Sequence, residues 1–261
     1  MKKTLSLLLA FCLIALSMSA FALAADDASA FRNAGDDAVS FHDAAEGEKV
    51  FTNAAEVLDY VMVGKDFTTP IRVAPAKLTV NGETRDVYFI AMLGMKGVSG
   101  QVNSSAGGGT GKYAELVKQV AAEIVPEGSA VILAGHSLGG MTAQELRRDS
   151  GFTEKYELIN VLCGGSPLMS ERGEAEGTLN RLTDIFDVIP YIRSLTLWSF
   201  IRQIKTAHRE NGGYFLNPDG AHNLSYARSD VWGGYDALGF PGGDAVVSFF
   251  EATVQSFGDA A

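Results

Sequence analysis

The sequence has almost no cysteine and comparatively little positive charge. Only two of its 261 residues are cysteines, Cys12 and Cys163, and Cys12 lies in the apolar N-terminal run. A single remaining cysteine cannot form an internal disulfide, so the fold must be stabilised by its core. Lysine and arginine number 21 against 31 acidic residues, which gives a formal net charge of −10 at pH 7. Such a chain is repelled by nucleic acids and by anionic membrane surfaces, so we expect no nucleic-acid partner.

Several short motifs are also missing. The sequence contains no phosphate-binding Gly-Lys-Ser/Thr loop, no C-x-x-C pair and no H-E-x-x-H. Nucleotide and metal chemistry therefore lack support, and we expect neither a cofactor nor a metal. Beyond the N-terminus, no apolar run is long enough to span a bilayer.

The first 24 residues have the pattern of a secretory signal peptide. Two lysines precede an apolar run from Leu5 to Leu16, and Ala22-Leu23-Ala24 supplies a small-x-small cleavage site. An N-terminal membrane anchor is the alternative, although the run is short. We expect residues 1–24 to be removed, and residues 25–261 to form one exported domain, extracellular or periplasmic.

Predicted strands alternate with predicted helices along the rest of the chain. This order favours an α/β fold with a mostly parallel central sheet and helices on both faces. Strands are expected at 77–80, 84–92, 130–134, 156–163 and 179–186, with a tight Asn81-Gly82 hairpin turn after the first. Helices are expected at 54–63, 113–124, 141–148, 191–208 and 245–257.

The most informative stretch runs from Ala130 to Gly140. A buried strand leads into Gly135-His136-Ser137-Leu138-Gly139, and a helix follows. Strand, sharp turn and helix around G-x-S-x-G form the context of a nucleophile elbow. Glycines are expected on both sides of Ser137 because side chains there would collide where strand and helix meet. Ser137 is therefore the candidate nucleophile.

A serine nucleophile needs a histidine base oriented by a third group. His42 precedes the serine, and His136 is expected to point away from it, which leaves His208 and His222. His208 ends a helix-like run with charged neighbours, typical of an exposed last-turn histidine. His222 follows a turn at a loop junction that can reach the elbow, so we favour it.

The third group is expected at the carboxyl end of a strand beyond the nucleophile strand. Asp187 fits because it directly follows the strand predicted at 179–186, and Pro190 then breaks the element. Asp184 is the alternative, but it would face the opposite side if the strand stayed pleated. We therefore favour Asp187.

These residues together resemble the class 3 lipases, the fungal-lipase-like branch of the α/β-hydrolases. The resemblance spans about residues 78–226 and rests on four motifs. These are Gly135-His136-Ser137-Leu138-Gly139-Gly140, then Gly165-Ser166-Pro167, then Arg181 with Asp187-Val188-Ile189-Pro190, and His222-Asn223-Leu224-Ser225-Tyr226.

The resemblance implies an α/β-hydrolase fold and a Ser137-Asp187-His222 triad. It also implies oxyanion donors from Leu138 and from Met95, in a loop after an earlier strand. That loop is Leu93-Gly94-Met95 here, whereas the family usually has Arg-Gly-Thr or Arg-Gly-Ser. With methionine at position 95, only a backbone N–H can contribute.

The function expected from these residues is hydrolysis of carboxylic esters, as a secreted lipase or carboxylesterase. A phospholipase or acyltransferase of the same fold remains open, as does a catalytically inactive binding protein. The expected partners are a lipid or small ester substrate and transient contact with a lipid interface, with no partner protein evident. Residues 195–208 are expected either to pack as a core helix or to form a lid over an acyl pocket.

Overall fold

The computed structural model describes residues 47–63, 70–94, 110–169, 175–192, 194 and 196–257. The expected signal peptide and the proposed oxyanion residue Met95 lie outside these ranges, so both stay predictions. No helix of the described residues is long and apolar enough to cross a membrane.

The described chain is an α/β structure built on one mixed sheet of nine strands. The strand order is β1-β8-β2-β3-β4-β5-β6-β7, and β9 pairs with β2. Strands β3 to β7 are parallel to one another, whereas β2 pairs antiparallel with β3, β8 and β9, and β1 pairs antiparallel with β8. The strands are β1 (Glu48–Phe51), β2 (Ile71–Val80), β3 (Glu83–Met92), β4 (Ala130–His136), β5 (Glu157–Gly164), β6 (Thr178–Asp184), β7 (His208–Glu210), β8 (Val246–Phe250) and β9 (Gln255–Phe257).

Seven α-helices fall in the described part of the chain. They are α1 (Ala54–Val63), α2 (Thr110–Ile124), α3 (Leu138–Leu146), α4 (Ser150–Thr153), α5 (Leu197–Lys205), α6 (Pro218–Asn223) and α7 (Ser229–Trp232). Short 3₁₀ turns occupy Ile189–Tyr191, Ser225–Ala227 and Glu251–Thr253. The predicted hairpin turn is confirmed, with Asn81 and Gly82 at φ 51° and 77°, as a two-residue turn of this kind requires.

Two hydrophobic cores lie on opposite faces of the sheet. Alternate residues of β4 divide between them: Ile132 joins the core under α1, and Leu133 joins the core under α2 and α3. This alternation is the period of two of a pleated strand. Helices therefore cover both faces, as the sequence pattern predicts. Cys163 is buried in the second core, and burial raises the pKa of its thiol to about 12.

The helix predicted at 245–257 is wrong. The segment forms β8, a 3₁₀ turn and β9 instead. Val247 and Phe249 are buried while Val246, Ser248 and Phe250 are not, so the side chains alternate with a period of two. Strand β8 pairs with β1 and with β2, and these long-range partners outweigh the local pattern.

Candidate active site

Ser137 occupies a strained turn between β4 and α3. Its backbone has φ 55° and ψ −118°, a conformation that a non-glycine residue adopts only when its surroundings enforce it. A Cβ on Gly135 would lie 2.4 Å from the carbonyl carbon of Gly139, and one on Gly139 would lie 2.1 Å from the Met92 oxygen. Both glycines are thus required by close approach, as the sequence predicts for an elbow.

Of the two residues proposed as oxyanion donors, Leu138 lies in the described part of the chain and Met95 does not. Leu138 is the first residue of α3, a position whose backbone N–H has no acceptor within the helix. Met95 lies outside the described residues, but Gly94 just before it lies against Ser137. A Cβ built on Gly94 would lie 2.7 Å from Ser137 Cβ and 3.4 Å from Ser137 Oγ. The loop after β3 therefore starts beside the serine.

Asp187 and His222 meet as the sequence predicts. His222 Nδ1 lies 2.9 Å from Asp187 Oδ2, and each side chain is at most 1% exposed. The Tyr226 hydroxyl donates to the same carboxylate oxygen at 2.7 Å. The Ile189 backbone N–H donates to the other oxygen, Oδ1, at 2.9 Å. Three donors hold this carboxylate in place, and its contact with Nδ1 in turn fixes the orientation of the His222 imidazole.

His222 lies in the short helix α6, which begins within the turn predicted at Asn217-Pro218-Asp219-Gly220. The Asn217 side chain caps this helix by accepting from the Gly220 N–H at 2.9 Å, and Pro218 begins its first turn. The other ring nitrogen of His222, Nε2, is buried and has no hydrogen-bond partner among the described residues. No hydrogen bond therefore joins Nε2 to Ser137 Oγ in this structure, and Nε2 is the ring nitrogen left to accept one.

The turn after β5 lies against both Ser137 and the His222 ring. The Ser137 N–H donates to the Gly164 carbonyl at 2.9 Å. A Cβ on the next residue, Gly165, would lie 3.1 Å from His222 Cε1 and 2.9 Å from Asp187 Oδ2. The turn after β5 thus contacts Ser137 on one side and the Asp187–His222 pair on the other.

His136 does not point away from the site as expected. Its Nε2 lies 2.8 Å from the backbone carbonyl oxygen of His222, and the two rings are 4.6 Å apart. His136 falls on the same face of β4 as Ile132, whose core includes Tyr226, and the His136 and Tyr226 rings lie 5.5 Å apart, so the pleat of β4 accounts for the direction of the His136 ring. Burial, and then the nearby His222, hold the pKa of His136 well below its usual value.

Asp184 has a different set of hydrogen-bond partners from Asp187. Its Oδ2 accepts from the Ser225 hydroxyl at 2.6 Å and from the Gly212 N–H at 2.9 Å. Strand β6 ends at Asp184 rather than at Phe186, so the expected pleat does not continue to Asp187. A turn separates the two aspartates, in which the Asp187 N–H donates to the Asp184 carbonyl at 3.1 Å.

His208 lies on an edge strand and not in a helix. The sequence predicts the last turn of a helix here, but α5 ends at Lys205 and His208 begins β7 at the edge of the sheet. Its ring packs against Tyr235 at 5.3 Å. His208 is extended because it pairs with Leu182 of the neighbouring strand β6.

A buried polar network joins β6 to helix α5. Arg181 donates to the Ser166 carbonyl at 2.9 Å, to Gln203 Oε1 at 2.8 Å and to the Thr206 hydroxyl at 2.8 Å. Gln203 Oε1 also accepts from the Leu168 N–H at 2.7 Å. Gln203 had no sequence signal, because a lone glutamine in an apolar segment resembles a solvent-facing residue.

The core-helix interpretation of residues 195–208 is wrong for α5. The buried residue of α5 is Gln203, whereas Leu197, Trp198 and Phe200 are 65%, 81% and 41% exposed. The two isoleucines of α5 are half-buried, so no apolar side chain of this helix is fully buried, as packing into a core would require.

The arrangement can support acyl transfer. A strained serine at a helix N-terminus, and a buried histidine with one nitrogen on a carboxylate and the other unpaired, are the parts that nucleophilic serine catalysis needs. Among the described residues, no group of three or more His, Cys, Asp or Glu side chains could hold a metal ion. No family model, curated protein or solved structure matches this chain.

Proposed function

We propose that this protein is a secreted serine hydrolase of the α/β-hydrolase fold that cleaves carboxylic esters of lipids, related to the class 3 lipases. The observation that carries the proposal is the 2.9 Å contact between His222 and Asp187 behind a serine in a strained strand–turn–helix elbow. The order Ser137, Asp187, His222 along the chain is that of the α/β-hydrolases.

The first step is attack on the ester. His222 Nε2 takes the proton of the Ser137 hydroxyl as Oγ bonds to the ester carbonyl carbon. The negative charge moves to the carbonyl oxygen. The resulting imidazolium donates through Nδ1 to Asp187, whose Oδ1 and Oδ2 remain hydrogen-bonded to Ile189 and Tyr226.

Collapse of this tetrahedral intermediate expels the alcohol, which takes its proton from His222 Nε2. Water, deprotonated by the same nitrogen, then attacks the acyl-enzyme and releases the acid and free Ser137. Backbone N–H groups of Leu138 and Met95 are the proposed oxyanion donors. Removing one donor of this kind costs about 3–4 kcal/mol in transition-state stabilisation.

The proposal is tested with purified protein and p-nitrophenyl esters of short and long acyl chains. We expect turnover that is lost in Ser137→Ala and equally lost in His222→Ala, since triad members act as a unit. His208→Ala is the matched control and should keep nearly full activity. Ester turnover that survives Ser137→Ala would refute the nucleophile.

The same preparation separates the neighbouring activities. Release of fatty acid from a phospholipid would assign a phospholipase, and acyl transfer to an added alcohol in preference to water would assign an acyltransferase. Absence of turnover on every ester, from a folded protein, would instead favour the inactive binding protein.

A further inference from the structure

Helix α5 presents apolar side chains to solvent at one edge of the sheet. Trp198 is 81% exposed and Leu197 is 65% exposed. Single exposed apolar residues are common on protein surfaces. Three on one nine-residue helix, beside a candidate active site, form a patch of the kind that marks an interaction surface.

Polar contacts hold the buried side of α5 against the rest of the protein. Gln203 is 5% exposed and is held by Arg181 and by the Leu168 N–H. At the N-terminus, Thr196 and Ser199 form a reciprocal capping box, with the Ser199 N–H 3.1 Å from Thr196 Oγ1. These hydrogen bonds fix which side of α5 faces the protein. The fold itself therefore exposes the apolar side chains on the opposite side of the helix.

The apolar surface continues on the other side of the acid. Phe200 packs on Tyr191 at 5.2 Å, and Phe186 packs on Phe215 at 5.4 Å. Tyr191 follows Asp187 and Phe186 precedes it, so the two ring pairs flank the loop that carries the triad acid. Phe215 and its neighbour Leu216 are each 69% exposed. Exposed apolar side chains therefore stand on both sides of that loop.

The charge of this segment is opposite to that of the chain. No aspartate or glutamate lies between Asp187 and Glu210, although the whole chain carries 31 acidic residues. The same interval contains four basic residues, Arg193, Arg202, Lys205 and Arg209. Lys205 is exposed in the last turn of α5. Aromatic and aliphatic side chains beside basic ones are typical of a helix that lies in a membrane interface.

We propose that α5 docks the protein on a lipid surface bearing anionic headgroups, with Leu197, Trp198 and Phe200 entering the interface. The proposal rests on the proposed function, since it supplies the lipid substrate to the same site. Docking of this kind requires only that apolar side chains of α5 insert into the lipid surface while basic side chains lie beside the headgroup phosphates. The net negative charge of the chain opposes this contact at long range. Salt limits this repulsion to about 10 Å at 0.1 M ionic strength, and the segment between Asp187 and Glu210 adds no acidic residue to it.

Binding is measured by flotation with vesicles of diether phosphatidylcholine, alone or with one-third diether phosphatidylglycerol. Ether lipids contain no ester bond, so binding is separated from hydrolysis. We expect tighter binding to the anionic vesicles, weakened by salt. Leu197→Ser with Trp198→Ser should lower the partition coefficient by at least about tenfold. Lys205→Gln should lower it about fivefold on anionic vesicles and leave it unchanged on phosphatidylcholine.

The chain offers a matched control and a built-in reporter. Phe250→Ser removes an aromatic side chain that is 48% exposed, on β8 at the far side of the sheet, and should leave binding unchanged. The protein has two tryptophans, and Trp232 is fully buried. A blue shift of the fluorescence on adding vesicles would therefore report Trp198.

Three results would overturn the proposal. The wild-type protein could fail to float with either vesicle, or Phe250→Ser could reduce flotation as much as the α5 variant. The protein could also be a dimer that Leu197→Ser with Trp198→Ser makes monomeric, which would assign the face to a second copy. Hydrolysis of p-nitrophenyl butyrate, which is soluble, should be retained by the α5 variant. Its absence in the wild type would refute the proposed function while leaving the flotation result valid.

Discussion

His136 Nε2 lies 2.8 Å from the backbone carbonyl oxygen of His222, and both side chains are buried. A carbonyl oxygen only accepts, so Nε2 of His136 carries the proton and donates. The residue immediately before Ser137 thus holds the backbone that carries the candidate base. This contact links the elbow to the backbone of His222.

Replacing His136 with phenylalanine keeps a ring in the space and removes the donor. We expect kcat on p-nitrophenyl butyrate to fall by about 10- to 100-fold, because a small displacement of a catalytic group carries a cost of that size. KM should change little, since His136 is not expected to touch substrate. The split between kcat and KM is the readout, and an unchanged kcat would show that the contact does not position His222.

His136 should also make stability depend on pH. Its pKa is lowered in the folded state by burial and by the adjacent His222. Below about pH 6.5 the unfolded chain therefore binds a proton at this residue that the native state does not bind. The free energy of unfolding should therefore fall as the pH drops below about 6.5, by up to about 1.4 kcal/mol per pH unit. Above that pH the residue contributes no slope.

Urea unfolding at pH 5.0 to 7.5 measures this dependence. The slope below pH 6.5 should be smaller in His136→Phe, because the group that titrates is gone. An identical slope in both proteins would assign the acid sensitivity to another residue.

Tyr226 is expected to stabilise the carboxylate of the candidate triad. Its hydroxyl donates to Asp187 Oδ2 and accepts from the Asp184 N–H at 3.1 Å. Tyr226→Phe should lower the free energy of unfolding by about 1.5–3 kcal/mol, as for a hydrogen bond to a charged group. Ester turnover should fall as well, because the orientation of the acid is loosened.

Tyr156→Phe is the matched control for this change. Tyr156 is also buried, but its hydroxyl has no hydrogen-bond partner among the described residues. Its removal should leave stability and activity nearly unchanged. Equal effects of the two substitutions would show that the Tyr226 hydroxyl has no special role.

The elbow could be predicted from the sequence because its causes are local. Gly135 and Gly139 are needed where strand and helix approach, and the requirement shows as a motif. Asp187 and His222 could be ranked by their place along the chain, although the strand parity invoked for Asp187 does not apply, since β6 ends at Asp184.

Other features depend on contacts between distant segments and left no local signal. The contact of the His136 ring with the His222 carbonyl joins residues 86 positions apart. The exposed face of α5 follows from Gln203 reaching Arg181 in another element. Strand β8 has an apolar sequence that suits a helix or a strand, and its pairing partners decide between them.

Gly139→Ala tests the close approach at the elbow. The new Cβ would lie 2.1 Å from the Met92 carbonyl oxygen, which is backbone and cannot rotate away. We expect a loss of at least about 3 kcal/mol in stability, or a protein that does not fold. Gly111→Ala is the control, since nothing lies within 4 Å of its Cβ in α2. It should stabilise the protein slightly, by about 0.5–1 kcal/mol. Thermal or urea unfolding of both variants measures the difference, and a fully stable Gly139→Ala would contradict the described elbow.

Ser137 is proposed to be a nucleophile activated by His222. Reaction with a biotinylated fluorophosphonate, followed by mass spectrometry of the digested protein, tests this directly, because this reagent phosphonylates activated serines. We expect one label, on the peptide containing Ser137, that is lost in Ser137→Ala and strongly slowed in His222→Ala, with His208→Ala labelled at the wild-type rate. A label on a different serine, or no label on a folded wild-type protein, would contradict it.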